Sequence, residues 1–442
     1  MLFILVVETL AEEIRNATNI KGIMVDNCEV KLTQLADDMT LFVKDHSSFS
    51  NAIQVIKSFG LESGLKLNLD KTKALELGPT NMSNPTIKLS GLKTVKEAVK
   101  VLGIWICKDL NKCTNINFTE KIKKLETIIN MWKTRNLTIR GKIIILQSLA
   151  LSQVYYAASV LHVPDDIVTK INDLIFKFIW NKKEHVKRKV IIQDLKDGGL
   201  KMPEFRNKVK AMKIMWIKRL AKDEKWSLIS KTILNLPMPW SQFVRCKSSE
   251  KYVVHQNNKF YRQILEYYYE IYSIPPTTAN EIRAELIFNN RFILVNNKPI
   301  FHRKYYDNGI VYINDLFDNN GSLLSIGKIA EKIPINNNSM VHAIPKNWKE
   351  KLKGSVKINV DNDIKLRINN QMVDLQSIAT KTVYWHLVDK EREIPASCTK
   401  WEKKYGNNIE WQNKFVLPHK TTKESLFCFS FSTIAKAVNT SG

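Results

Sequence analysis

The chain has 442 residues, 44% hydrophobic and 9% aromatic, which excludes an intrinsically disordered polymer and gives room for two or three domains. Lys and Arg total 68 against 43 Asp and Glu, a net charge of +25 with a pI near 9.6, so the favoured partner is a polyanion, either nucleic acid or an anionic membrane surface. Six cysteines (Cys28, Cys107, Cys113, Cys246, Cys398, Cys428) lack C-x-x-C or paired histidine spacing, which excludes a disulfide framework or zinc site readable from spacing and points to a reducing intracellular compartment, nucleus or cytoplasm.

Residues 2–17 read as a helix closed by Asn19 and Gly22, followed by a strand at Gly22-Ile23-Met24-Val25. The opening apolar run, Met1 to Val7, is too short for a signal peptide and has no basic residues before it. Glu29 to Gln34 and Met39 to Lys44 alternate apolar with polar, the period of half-buried strands, and pair as a tight hairpin. Its tip is Leu35-Ala36-Asp37-Asp38-Met39, with the two aspartates where a two-residue loop prefers Asn-Gly or Asp-Gly. Two unit charges about 4 Å apart repel by about 1 kcal/mol in water and more near a protein surface. The tip is therefore a solvated polar turn or a place where a cation sits between carboxylates. Magnesium, which takes carboxylate oxygens together with substrate phosphates, is the candidate ion.

After the hairpin, Ser47-Ser48 offers an N-cap to a helix whose apolar face is Phe49, Ala52, Ile53, Ile56 and Phe59 and whose stop signal is Gly60. Ser63 to Lys73 reads as a glycine turn into a short strand and a lysine-rich loop, and Val101-Leu102-Gly103-Ile104-Trp105 as another short strand. In this order the blocks resemble the catalytic hairpin and following segments of reverse transcriptases, in the form used by LINE-type (non-LTR) retrotransposons. The resemblance implies an α+β fold in which residues 1–110 are an incomplete polymerase palm made of a β-hairpin with a helix and short strands. It implies Asp37 and Asp38 as catalytic metal ligands and Lys71 beside the incoming triphosphate as a general acid, with Lys66 and Lys73 as competitors. It also implies that Leu102, Gly103 and Ile104 position the primer.

The family's Gly-rich stretch and the strand bearing its first catalytic aspartate are expected upstream of Met1. Two-metal phosphoryl transfer holds cations ~3.5–4 Å apart and needs carboxylates enough to clamp both. Asp37 and Asp38 supply two, and neither Glu8, Glu12 and Glu13 on the first helix nor Asp26 in the adjacent turn has a spacing that replaces the third. The two-metal magnesium site is thus expected to be incomplete in this chain, and the palm sheet to carry an unpaired edge.

From residue 111 to 235 the pattern is helical and basic, a mostly helical thumb by the same resemblance. Phe118 to Leu125 opens it, and Thr138 or Arg140-Gly141 separates its first helix from an uncharged run, Ile143 to Pro164. A spanning helix needs ~20 predominantly apolar residues, and Gln147, Ser148, Ser152 and Gln153 favour a buried core helix instead. Val168 to Asn181 is the next helix, and Phe178-Ile179-Trp180 and Gly198-Gly199-Leu200 resemble thumb markers. Between them lies the densest positive cluster, Lys182 to Lys189, which is either a solvated face or a tracker of duplex phosphates. Lys187, Arg188, Lys189, Arg140 and Lys142 are the phosphate-contact candidates.

Residues 236–442 read as a C-terminal extension of mixed structure, with a strand-like Phe292 to Val295 and tryptophans Trp348, Trp401 and Trp411 placed as core rather than stacking platforms. The Cys/His knuckle common in the family has no counterpart, and the pattern fades from Phe427 onwards. The resemblance therefore implies a piece of an RNA-directed DNA polymerase whose partners are an RNA template and a DNA primer, an RNA–DNA hybrid, with no membrane and no zinc site. Alone, this piece is expected to be inactive. The alternative is a non-catalytic basic nucleic-acid-binding remnant, and a third reading, a basic helical protein at an anionic membrane surface, ranks below both.

Overall fold

The computed structural model describes residues 2–77, 92–180, 186–222, 224–236, 238–246, 258–272, 275–299, 303–320, 322–324, 342–360 and 363–405. Lys182, Lys183, Trp411 and Cys428 lie outside these residues, as does the Trp401 side chain. The chain divides into two units, Met1–Lys124 and Leu125–Gly442. The class is α+β: many helices, with the described strands paired in ladders of two.

In the first unit, α1 (Leu2–Asn16) buries Val7, Leu10, Ala11 and Ile14, spaced as one helical stripe. β1 (Ile23–Val25) pairs with β2 (Cys28–Val30), and β3 (Leu32–Leu35) with β4 (Asp38–Leu41), all antiparallel. The alternating run 29–34 is thus two strands rather than one. Lys31 interrupts it: only 9% exposed, its Nζ donates to Arg15 O at 2.9 Å and Ala17 O at 2.6 Å, closing the C-terminal carbonyls of α1. The backbones approach closely at this point, because a Cβ on Gly22 would lie 2.5 Å from Val30 O.

α2 (His46–Ser63) is capped by Asp45, not by the expected Ser47-Ser48. The Asp45 carboxylate accepts from the Ser48 N–H and the Ser47 hydroxyl, both at 2.7 Å, which holds it down at about 2. The helix also runs through Gly60 and ends at Gly64, whose φ of 73° makes it the C-cap. Leu10, Ala11, Ile14, Ile20, Leu32 and Ala52 form the core, with Met39, Leu41, Val43, Ile56 and Phe59 packed against it. β5 (Lys73–Leu75) pairs parallel with β6 (Lys93–Val95), and β7 (Ala98–Val101) antiparallel with β8 (Ile104–Cys107). Leu65 to Leu69 forms no strand. α3 (Leu110–Lys133) follows, its first half in this unit.

The second unit takes in the rest of α3 and then α4 (Ile139–Ile145), whose N-cap is Thr138: its hydroxyl accepts from the Gly141 N–H at 3.1 Å. The uncharged run beyond it is not one helix. A π-helical turn, Leu146–Ala150, joins α4 to α5 (Ser152–Val160) with a bend of 50°. Ile143, Leu146, Ala150, Leu151, Val154, Ala157 and Ala158 are all buried. No single described helix is long and apolar enough to cross a membrane; by length and composition the bent pair is, and much of its apolar surface is buried in protein, with Ile144 and Leu149 exposed.

α6 (Asp165–Trp180), α7 (Arg188–Ile192) and α8 (Phe205–Lys222) follow, then α9 (Glu224–Leu234), α10 (Trp240–Phe243), α11 (Lys259–Tyr272) and α12 (Ala279–Arg283). The strand expected at Phe292 to Val295 shrinks to β9 (Leu294–Val295), paired with β10 (Lys298–Pro299). After α13 (Arg303–Asp307) and α14 (Lys346–Leu352), β11 (Lys365–Ile368) pairs with β12 (Gln371–Asp374), and α15 (Thr380–Lys390) and α16 (Ala396–Tyr405) close the described chain.

α8 is the hub of this unit, packed against α5, α6, α9, α11 and α15. Its Ile214, Ile217 and Leu220 share one core with Trp240, Phe243, Tyr268, Leu366 and Leu387, so the core draws on both sides of residue 235. A second cluster gathers Ile282, Phe288, Ile313, Trp348 and Leu352. Trp348 is thus core, as expected. Arg283, with no exposed surface, fastens this cluster by donating to Ser355 O at 2.6 Å, Ser355 Oγ at 3.0 Å and Asn314 Oδ1 at 3.2 Å.

Removing Arg283 leaves buried acceptors without their charged donor, at a cost of about 2–4 kcal/mol. Chemical denaturation of Arg283→Ala is expected to show that loss of stability. A midpoint equal to wild type would show that the guanidinium does not hold the cluster.

Candidate functional site

The β3–β4 register sets where the two aspartates point. Leu32 faces Leu41 and Gln34 faces Met39 on the core side, while Thr33, Leu35, Asp38 and Thr40 take the outer side. The two-residue turn is Ala36-Asp37, not Asp37-Asp38, because Asp38 already pairs with Leu35 as the first residue of β4. Ala36 supplies the positive φ, 54°, that the turn needs. The left-handed conformation costs a non-glycine residue roughly 1–2 kcal/mol. Gln34 Nε2 braces the turn by donating to Ala36 O at 3.2 Å. Asp37 and Asp38 are both exposed, and so is Leu35 beside them.

The donor set bears on magnesium directly. The ion takes oxygen ligands in near-octahedral geometry, and a two-ion centre needs more than two carboxylates. Among the described residues, no group of three or more His, Cys, Asp or Glu side chains is arranged to hold a metal ion. Glu8 and Glu12 are turned to Arg15, at 2.7 and 2.5 Å. Asp37 and Asp38 are thus two exposed carboxylates, and among the described residues no third ligand is grouped with them to complete a two-ion clamp.

Lys71 sits in a turn where its backbone N–H donates to Asn68 Oδ1 at 3.1 Å. Its side chain is exposed, as are those of Lys66 and Lys73, and geometry does not separate the three. Val101 to Trp105 is not the single strand expected. Leu102 and Gly103, with φ of 48° and 79°, form the turn between β7 and β8, the requirement of a type I′ hairpin loop. Leu102 is exposed at the tip and Ile104 is buried.

This second hairpin is fastened to α3 by residues that sequence reasoning passed over. The fully buried Asn117 accepts from the Trp105 N–H at 2.9 Å and donates to Trp105 O at 2.8 Å and Cys113 O at 2.9 Å. Glu120 accepts from Lys100 Nζ at 2.9 Å and Trp105 Nε1 at 2.9 Å and pairs with Lys124 at 3.1 Å, which holds its carboxyl down at about 2. The only local signal was the Glu120–Lys124 spacing on one helical face.

The five basic candidates differ in surroundings. Arg140 is exposed. Lys142 Nζ donates to Ile179 O at 3.1 Å, near the end of α6, and lies 5.7 Å from the Phe178 ring; burial lowers its pKa. Arg188 lies 3.3 Å from Asp173 and 4.1 Å from the Phe176 ring. Lys187 and Lys189 both approach Glu393, at 3.2 and 3.6 Å.

Because the Glu120 pKa is depressed in the fold, its contribution to stability is complete above the unfolded value of about 4.3 and fades as pH falls towards 2. For a partly exposed pair this is worth about 1 kcal/mol. Wild type is expected to lose that increment relative to Glu120→Gln between pH 4.5 and 2.5 in urea titrations. Parallel pH profiles for the two proteins would contradict the role given to Glu120.

Two comparisons complete the site. The family described as reverse transcriptase (RNA-dependent DNA polymerase) matches residues 1–106, which include the Asp37-Asp38 hairpin, the Lys71 loop and the Leu102-Gly103 turn. The chain is also similar to the Transposon TX1 uncharacterized 149 kDa protein of Xenopus laevis, at 23% identity over 192 residues. That alignment covers 43% of this chain and 15% of the relative, so the chain spans a small part of that protein's length. Residues 1–106, about a quarter of the chain, are therefore similar to the reverse transcriptase family.

Proposed function

We propose that this chain contributes to an RNA-directed DNA polymerase, with residues 1–110 as part of the palm, 111–235 as the thumb and 236–442 as a C-terminal extension. The observation that carries the reading is the exposed Asp37-Asp38 pair at the tip of β3–β4, inside the stretch that matches the family. In this reading the two carboxylates give a magnesium ion two of its oxygen ligands. Lys71 serves the incoming triphosphate, and Leu102, Gly103 and Ile104 flank the primer end. The partners are an RNA template and a DNA primer.

The described residues offer no further carboxylate to that ion, and the chain by itself is expected not to polymerise. A primer-extension assay on an RNA template with labelled DNA primer and magnesium tests this, the expected result being an unextended primer. Templated incorporation by the chain alone would overturn the expectation.

A second reading, a non-catalytic basic binding module, is favoured by a different observation: a net charge of +25, with Lys187 and Lys189 more than half exposed. Such a module grips phosphates without reading bases, and its affinity falls with salt. Binding to an RNA–DNA hybrid is then expected to survive Asp37→Ala and Asp38→Ala with less than a twofold change. Loss of binding in those variants would count against it.

A further inference from the structure

Lys187 and Lys189 stand two residues apart, yet their ammonium groups converge on one carboxylate, Glu393, at 3.2 and 3.6 Å. The intervening Arg188 turns away to Asp173 and the Phe176 ring. The strap that carries Glu393 lies between α15 and α16 and is anchored by groups other than that carboxylate. Gln193 Nε2 donates to the Glu393 backbone O at 2.8 Å, and Arg392 pairs with the buried Asp197 at 3.0 Å. The Lys187 hydrogen bond and the charges of both lysines lower the Glu393 pKa, so the occupant is an anion at neutral pH. With Lys187 70%, Lys189 53% and Glu393 35% exposed, all three are open to solvent.

Two convergent ammonium groups around one oxyanion also suit a backbone phosphate, which accepts charge-assisted hydrogen bonds from the same donors. Exposed ion pairs are individually weak, so exchanging one anion for another costs little. We propose that Glu393 is an intramolecular stand-in for a nucleic-acid phosphate: it occupies the Lys187–Lys189 pair until a phosphate displaces it, and so limits the affinity of this surface. The inference rests on the nucleic-acid-binding reading above and adds an internal competitor to it.

Fluorescence anisotropy with a labelled RNA–DNA hybrid and the full chain tests it, with wild type, Glu393→Gln, Glu393→Ala, Lys187→Ala/Lys189→Ala and the Glu393→Gln triple variant. Because the backbone anchors remain, both Glu393 variants are expected to melt at the wild-type temperature. They are expected to bind the hybrid roughly three- to tenfold tighter at low salt, the gain shrinking as salt rises. The gain should vanish when both lysines are absent. Unchanged affinity in the Glu393 variants, with weaker binding in the double lysine variant, would overturn the inference and leave nucleic-acid binding standing. A gain that persists without the lysines would overturn it as a general charge effect. No binding by any protein would overturn the underlying reading and the inference together.

Discussion

Like charges on consecutive residues persist at a hairpin tip only while water or a cation screens them, and the rest of the first unit is arranged around that constraint. Leu32 and Leu41 lock the register of β3 and β4 against α1 and α2, so Asp38 has to face outward. A slip of one residue would turn Asp38 into the apolar core, where an unpaired carboxylate costs far more than at the surface. The packing of Leu10, Ile14 and Ala52 under the hairpin is therefore what keeps the carboxylates exposed and adjacent. Among the described residues, no group of three His, Cys, Asp or Glu side chains forms around them to hold a metal ion.

The large positive charge divides into two uses. Three lysines serve helix ends: Lys31 at Arg15 O and Ala17 O, Lys142 at Ile179 O, and the buried Lys213 at Ser159 O and Leu161 O. Each places an amine at carbonyls near the end of a helix, where the helix dipole is negative. For Lys213 burial is deep enough to push its pKa well below the ordinary lysine value, and its amine also lies 4.2 Å from the Phe260 ring. Lysines of this kind hold the fold. Those at 187 and 189 remain at the surface, paired with Glu393.

Helix periodicity in the sequence located α1, α2 and α6 to within a few residues, since each has an apolar stripe that a core must cover. Other features depended on contacts that local pattern does not carry. The run from Ile143 to Pro164 contains no glycine and no proline before its end, so nothing in it marks the π-helical turn at Leu146–Ala150, which arises where both flanking helices pack on their neighbours. The split at Lys31 follows from its reach to α1. The β7–β8 turn did have a signal, a glycine between two alternating runs, but the resemblance to a strand masked it. Glu393 lies about 200 residues from the lysines it faces, and only the fold brings them together.

At the candidate site, the sequence alone singled out Asp37 and Asp38 and the resemblance to reverse transcriptases, to which residues 1–106 are similar. It misplaced the turn by one residue because alternation does not say which residue accepts a positive φ. Calorimetric titration of the chain with manganese, a stand-in for magnesium, tests the central claim that this hairpin is a partial metal site. The account expects no more than one weak ion per chain, lost in the Asp37→Asn/Asp38→Asn double variant. Two tightly held ions, or binding unchanged in that variant, would contradict it.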